Sequence, residues 1–104
     1  MGIGMQIVYL GFPGAALLEA EAGAQLVRLA RFDDQVSNCH LAIEAVKPGS
    51  GIPLYDVRLD LINPAHELRP IAHCAGANAE DAIRRAFDIA EKELETVVAR
   101  SREH

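Results

Sequence analysis

Residues 78–102 read NAEDAIRRAFDIAEKELETVVARSR, and the spacing of their apolar members orders the rest of the chain around them. Ile83, Phe87, Ala90, Leu94 and Val97 recur at intervals of four, three, four and three, so they share one stripe of a single amphipathic helix. Asn78 is placed to cap its first turn, where Glu80 and Asp81 meet the positive end of the helix dipole. Arg100 and Arg102 fall in the last turn, at the negative end. The outer face carries Asp81, Arg84, Arg85, Asp88, Lys92 and Glu95. Asp81–Arg85, Arg84–Asp88 and Asp88–Lys92 are each four apart, the spacing at which opposite charges on one helix pair.

A helix with one apolar stripe needs an apolar surface beneath it, and the middle of the chain supplies a sheet. Val36 to Val46 alternates, with Cys39, Leu41, Ile43 and Ala45 on one side and Asn38, His40, Ala42 and Glu44 on the other. Lys47-Pro48-Gly49-Ser50-Gly51 is a turn. Tyr55 to Ile62 alternates again, turning Val57, Leu59 and Leu61 inward and Asp56, Arg58 and Asp60 outward. Asn63-Pro64 marks a second turn, and Glu67 to Cys74 a third strand of the meander. Pro70 inside that strand makes it an edge or a bulged strand.

Towards the N-terminus, Ala15 to Phe32 reads as a helix. Its stripe is Leu18, Ala22, Leu26 and Leu29, closed by Phe32, and Gly23 weakens it by about 1 kcal/mol relative to alanine. Met5 to Leu10 is a short strand ended by Gly11-Phe12-Pro13-Gly14, with residues 1–4 as a loose tail. The order is β-α-β-β-β-α. These patterns predict one domain over residues 1–104: an α+β two-layer sandwich, a four-stranded sheet with two helices on one face. The other sheet face is then open to solvent or to a partner.

Composition narrows the function. Half of the 104 residues are hydrophobic and 24% are charged, as in an ordinary globular domain with one modest core. The formal net charge of −5 argues against general phosphate-backbone binding, which needs clustered cations. Ten residues are basic and eight of them are arginine, the better fork for phosphate. Cys39 and Cys74 have no CxxC spacing and read as buried free thiols. The apolar start reads as a strand and a turn rather than a leader, and no apolar run approaches the roughly 20 residues of a membrane span, so no membrane partner is expected.

Centring the hairpins on their turn signals gives a register for the open face. His40, Asp60 and Arg69 lie abreast, as do Ala42, Arg58 and Ile71, and Glu44, Asp56 and His73. The ordinary reading is cross-strand pairing on a solvated face; the functional one is a polar platform for RNA backbone or a protein. His66 to His73 contains no HExxH helix, so no metal is expected. Cys39 with His40, and His73 with Cys74, are strand neighbours that point to opposite faces and cannot form dyads. Ser37, Ser50 and Ser101 lack nucleophile contexts, so neither an enzyme nor a cofactor is expected. The remaining candidates are cations: Arg28 and Arg31 on the first helix, Arg58 and Arg69 on the sheet, Arg84, Arg85 and Lys92 on the second. A phosphate-binding role needs at least four of them on one continuous face.

Three segments resemble the ribosome hibernation-promoting factors, also called ribosome-associated translation inhibitors or ribosomal subunit interface proteins. Met5-Gln6-Ile7 is similar to the family's opening strand. Leu26-Val27-Arg28-Leu29-Ala30-Arg31-Phe32-Asp33 followed by Val36 resembles its first helix end. Ala82-Ile83 through Asp88, Glu91, Lys92 and Leu94 is similar, without gaps, to its final helix. The resemblance implies a fold similar to double-stranded-RNA-binding domains. It also implies a short cytoplasmic factor that binds the small ribosomal subunit in the messenger and transfer RNA channel. Such a factor silences the ribosome under stress or in stationary phase, with Arg and Lys gripping ribosomal RNA phosphates. Ile89, Glu95 and Thr96 stand where the family commonly has lysine, and Glu80 where it has an aromatic. Carried over by position, the basic sites are Arg28, Arg31 and Lys92, with Arg84 and Arg85 added on the same helix. The rival expectation is a diverged relative without the ribosome, acting as a protein-interaction module or homodimer through its open sheet or an edge strand at Met5 or Pro70.

Overall fold

A computed structural model describes residues 2–46 and 54–102. The elements follow the expected order. They are β1 (Gly4–Leu10), α1 (Ala16–Arg28), a 3-10 turn (Ala30–Phe32), β2 (Asn38–Val46), β3 (Leu54–Ile62), β4 (Leu68–Gly76) and α2 (Ala79–Arg102). The four strands form one sheet in the order β1-β2-β3-β4, with β1 parallel to β2 and the other pairs antiparallel. The parallel pair follows from the α1 crossover, which a tight hairpin could not provide. β1 begins at Gly4, inside the segment expected to be a loose tail. The turn expected at Lys47 to Gly51 lies outside the described residues.

Alternation decides which side of each strand is covered. Cys39, Leu41 and Ile43 of β2, Val57, Leu59 and Leu61 of β3 and Cys74 of β4 are buried beneath the helices. Over them α2 lays Ile83, Phe87, Ala90 and Leu94, together with Ala82 and Ala86, whose small side chains let the helix sit close to the sheet. α1 contributes Leu18 and Ala22, and Leu29 and Phe32 close the core at its end. Among the described residues no polar or charged side chain is buried. Asn78 caps α2 as expected, its side-chain oxygen accepting the Asp81 N–H at 2.9 Å.

Two turns use backbone that ordinary residues adopt reluctantly. Gly11 and Gly14 have φ of +80° and +89°. A Cβ on Gly14 would come within 2.6 Å of the Tyr9 ring, so glycine is required there on both counts. Between β3 and β4, the Asn63 side-chain oxygen accepts the N–H groups of Ala65 and Glu67, and His66 sits at φ +66°. These side-chain bonds hold a turn that runs from Asn63 to Glu67.

That turn, and a bulge beyond it, correct the expected register of β4. β2 and β3 pair as read: His40 with Asp60, Ala42 with Arg58, Glu44 with Asp56. On β4, however, Ile62 pairs with Leu68, one residue later than the expected register, which set Asp60 beside Arg69, would give. One residue of slip exchanges the two faces of a strand. Arg69 therefore stands opposite Leu61, on the helix side, and Pro70 takes its place beside Asp60. An irregularity between Leu59 and Asp60 leaves Ile71 unpaired and restores the alternation, so His73 lies on the open face abreast of Arg58 rather than Asp56.

Candidate nucleic-acid interface

The seven cations expected to meet RNA do not share a face. Arg58 is on the open side of the sheet, while Arg28, Arg31, Arg69, Arg84, Arg85 and Lys92 are on the helix side. Four of the six are held by carboxylates. Arg28 lies 2.7 Å from Asp88 and 2.6 Å from Glu91, Arg31 lies 3.2 Å from both Glu91 and Glu95, and Arg84 is 3.0 Å from Glu21. Arg69 pairs with Glu93 of α2 and lines a cavity of about 200 Å³ with Val36, Leu61, Leu94 and Val97. Arg85 instead donates to the Ala75 carbonyl at 2.9 Å. Among the described residues, Arg58, Arg85, Lys92 and Arg100 have no carboxylate within ion-pairing distance.

The pairs along α1 and α2 form one ladder. Glu21 meets Arg84, Arg28 meets Asp88 and Glu91, and Arg31 meets Glu91 and Glu95, so the two helices run side by side in the same direction. Gln25 joins the rungs, donating to Glu21 at 2.8 Å and accepting from Arg28 at 2.6 Å. Within α2, Arg84 turns back to Glu80 and Asp81 at 3.9 and 3.7 Å. The intrahelical pairs expected for Arg85, Asp88 and Lys92 do not form, because cations of α1 and the end of β4 offer closer partners to Asp88 and Arg85. The ladder perturbs its members. The Gln25 and Arg84 hydrogen bonds lower the Glu21 pKa against its partial burial, and the Arg28 and Arg31 hydrogen bonds lower that of Glu91. In turn Glu91 and Asp88 raise the Arg28 pKa.

Glu21, Gln25 and Glu91 were not foreseen as partners. The signal that could have found them is a matched period: polar residues at 21, 25 and 28 on α1, and at 84, 88, 91 and 95 on α2, share the four-and-three spacing of a buried stripe.

The open face is mixed. His73 Nε2 lies 2.6 Å from Asp56 Oδ1, and Glu44, Asp60 and His40 surround the unpaired Arg58. Val8, Leu10, Val46, Leu54 and Leu68 are exposed among them. Cys39 and Cys74 are buried free thiols, and burial pushes Cys39 up to about 12. Among the described residues no three His, Cys, Asp or Glu side chains converge to hold a metal ion, and no helix is long and apolar enough to cross a membrane.

Comparison with solved structures places this fold. A ribosomal subunit interface protein from Coxiella burnetii matches over 93% of this chain and 99% of its own, with a TM-score of 0.69 and 15% identity. The N-terminal domain of Thermus thermophilus Protein Y matches over the same shares, with a TM-score of 0.65 and 18% identity. No protein-family model matches the sequence, and neither does any curated protein. The mixed sheet with two helices on one face is thus the fold of ribosomal subunit interface proteins, as the sequence resemblance implied.

Proposed function

We propose, on the premise of that shared fold, that this protein is a ribosome-associated factor. On this reading it acts in the cytoplasm, binds the small subunit through ribosomal RNA and blocks translation under stress or in stationary phase. The supporting observation is that the likeness covers 93% of this chain and 99% of each of the two neighbours. Of the seven expected cations, Arg58, Arg85 and Lys92 have no carboxylate partner among the described residues and would make the first phosphate contacts. Arg28, Arg31, Arg69 and Arg84 would each have to exchange a carboxylate for a phosphate. Such an exchange is feasible, since an exposed ion pair contributes only about 0.2–1 kcal/mol. The two ready contacts that share the helix side, Arg85 and Lys92, correspond to a slope of about −1 to −2 in log affinity against log salt, a gentle dependence for an RNA-binding protein. The test is gradient sedimentation with purified small subunits. The protein should travel with them at low salt and leave as salt rises; protein that stays at the top of the gradient at low salt would end this reading.

The ladder favours a second reading, in which the chain kept the fold and uses it to bind protein. Four of its eight arginines, Arg28, Arg31, Arg69 and Arg84, are paired with its own acids, and the open face mixes acids with exposed apolar residues. Apolar side chains of that kind suit a protein surface better than a phosphate backbone.

A further inference from the structure

The two edges of the sheet are finished differently. β4 is a poor template for another strand: Pro70 has no N–H, Ile71 bulges, and Arg69 adds a charge beside them. β1, at the other edge, reads Gly4-Met5-Gln6-Ile7-Val8-Tyr9-Leu10, with no charge, no proline and an unbroken register against β2. The Gly4 N–H donates to the Ser37 carbonyl at 3.1 Å. Backbone groups of alternate residues in a strand point the same way, so Gly4, Gln6, Val8 and Leu10 bond towards β2. Met5, Ile7 and Tyr9 then turn their N–H and C=O groups outward along the free edge. Among the described residues no turn or loop group bonds them.

We propose that β1 joins a second copy of this chain, edge to edge and antiparallel, about a two-fold axis at Ile7. The register names the occupant. Ile7 faces Ile7 of the second copy, Met5 faces Tyr9, Gln6 faces Val8 and Gly4 faces Leu10. Ile7 and the Met5–Tyr9 pairs fall at hydrogen-bonded positions, so every outward group on the edge meets its complement. Helix-side residues meet helix-side residues, and the two sheets continue as one with all helices on the same side. Two molecules that each carry −5 need a contact strip without charge, and this edge is one. The apolar strip continues onto α1, where Val27 is 73% exposed and a Cβ on Gly23 would meet nothing within 4 Å. Glu19, the acid acting on Tyr9, does not oppose its counterpart, because the two Tyr9 residues sit about 13 Å apart along the strands at ~3.3 Å per residue. The proposal deepens the second reading by naming the partner. It does not need that reading to exclude the first, since α2 lies over β3 and β4 at the far side of the sheet.

Light scattering of the full chain should give twice 11.2 kDa, with dissociation on dilution. Amide exchange at Met5, Ile7 and Tyr9 should slow as the dimer forms. Gln6 and Val8 are exposed, so they can be changed without touching the core. Q6K/V8K sets lysine against lysine across the axis and should give a monomer that melts like the native protein. Q6K/V8E sets lysine against glutamate and should restore the dimer. A monomer at every concentration, a dimer whose Met5, Ile7 and Tyr9 amides stay unprotected, or a Q6K/V8K dimer as tight as the native one would overturn the proposal; failure of Q6K/V8E to recover dimer would overturn the register. Sedimentation of the monomeric variant with small subunits tests the ribosomal reading separately.

Discussion

The helix side and the open face of this sheet use their charges in different ways. On the helix side, side chains from α1 and α2 meet across a seam, and arginine after arginine is closed by a carboxylate. On the open face charges meet only across strands, Arg58 is left without an acid at pairing distance, and apolar residues stand exposed between them. The contrast shows that a cation's presence in a sequence and its availability to a partner are separate properties. A seam between packed helices consumes charge, while a face with nothing lying on it leaves both charge and apolar surface over.

The largest test of that contrast concerns what each side contributes to the fold. Phe87→Ala empties a fully buried site under α2 and should cost about 3–5 kcal/mol in denaturant unfolding. Val8→Ala, at an exposed position on the other face, should stay within about 0.5 kcal/mol. Comparable losses at the two sites would mean that the open face is packed against something in solution. Cys39 probes the covered side in another way. With its pKa pushed up to about 12 by burial, almost no thiolate exists at neutral pH, and a thiol reagent should label it only at the rate of unfolding. Rapid labelling of native protein would show the sheet side of the core to be open.

Smaller effects fall on local features, and these mark where the sequence could be read. Asn78→Ala removes the cap of α2 and should cost about 1 kcal/mol by thermal melting. That cap was legible because capping depends on neighbours in sequence. The stripe on α2 and the pairing of β2 with β3 were legible for a related reason: the periods of helix and strand are fixed by backbone geometry. Arg69 was not. Its face depends on one extra residue in the Asn63 turn, held by side-chain bonds that a bare Asn-Pro signal does not count. The salt ladder was not legible either. Asp88 has a candidate partner four residues away on either side, and only the placement of α1 beside α2 decides that Arg28 takes it. Local rules therefore gave the elements and the candidate cations, while the state of each cation was a tertiary property.

Glu91→Gln tests the ladder itself, because Glu91 is the acid that both Arg28 and Arg31 share. Its pKa in the folded protein is lowered, chiefly by the hydrogen bond from Arg28 and then by that from Arg31. A carboxyl with a depressed folded pKa stabilises fully above its unfolded value of about 4.3, and that contribution disappears as pH falls through the folded value. Native protein should therefore exceed the variant by up to about 1 kcal/mol at neutral pH and low salt, lose part of the margin in high salt, and match it in acid. Equal melting at neutral pH and low salt would mean that the seam holds no net energy, and the contrast between the two sides would reduce to packing alone. The same substitution sharpens the functional question. Removing Glu91, with Glu95→Gln beside it, releases Arg28 and Arg31 from their carboxylates except Asp88. If RNA is the partner, the double variant should bind small subunits more tightly than the native chain, with a salt slope steeper by about 1 to 2. Binding that ignores the change would separate the helix seam from any contact with RNA and leave the open face and the β1 edge as the surfaces that matter.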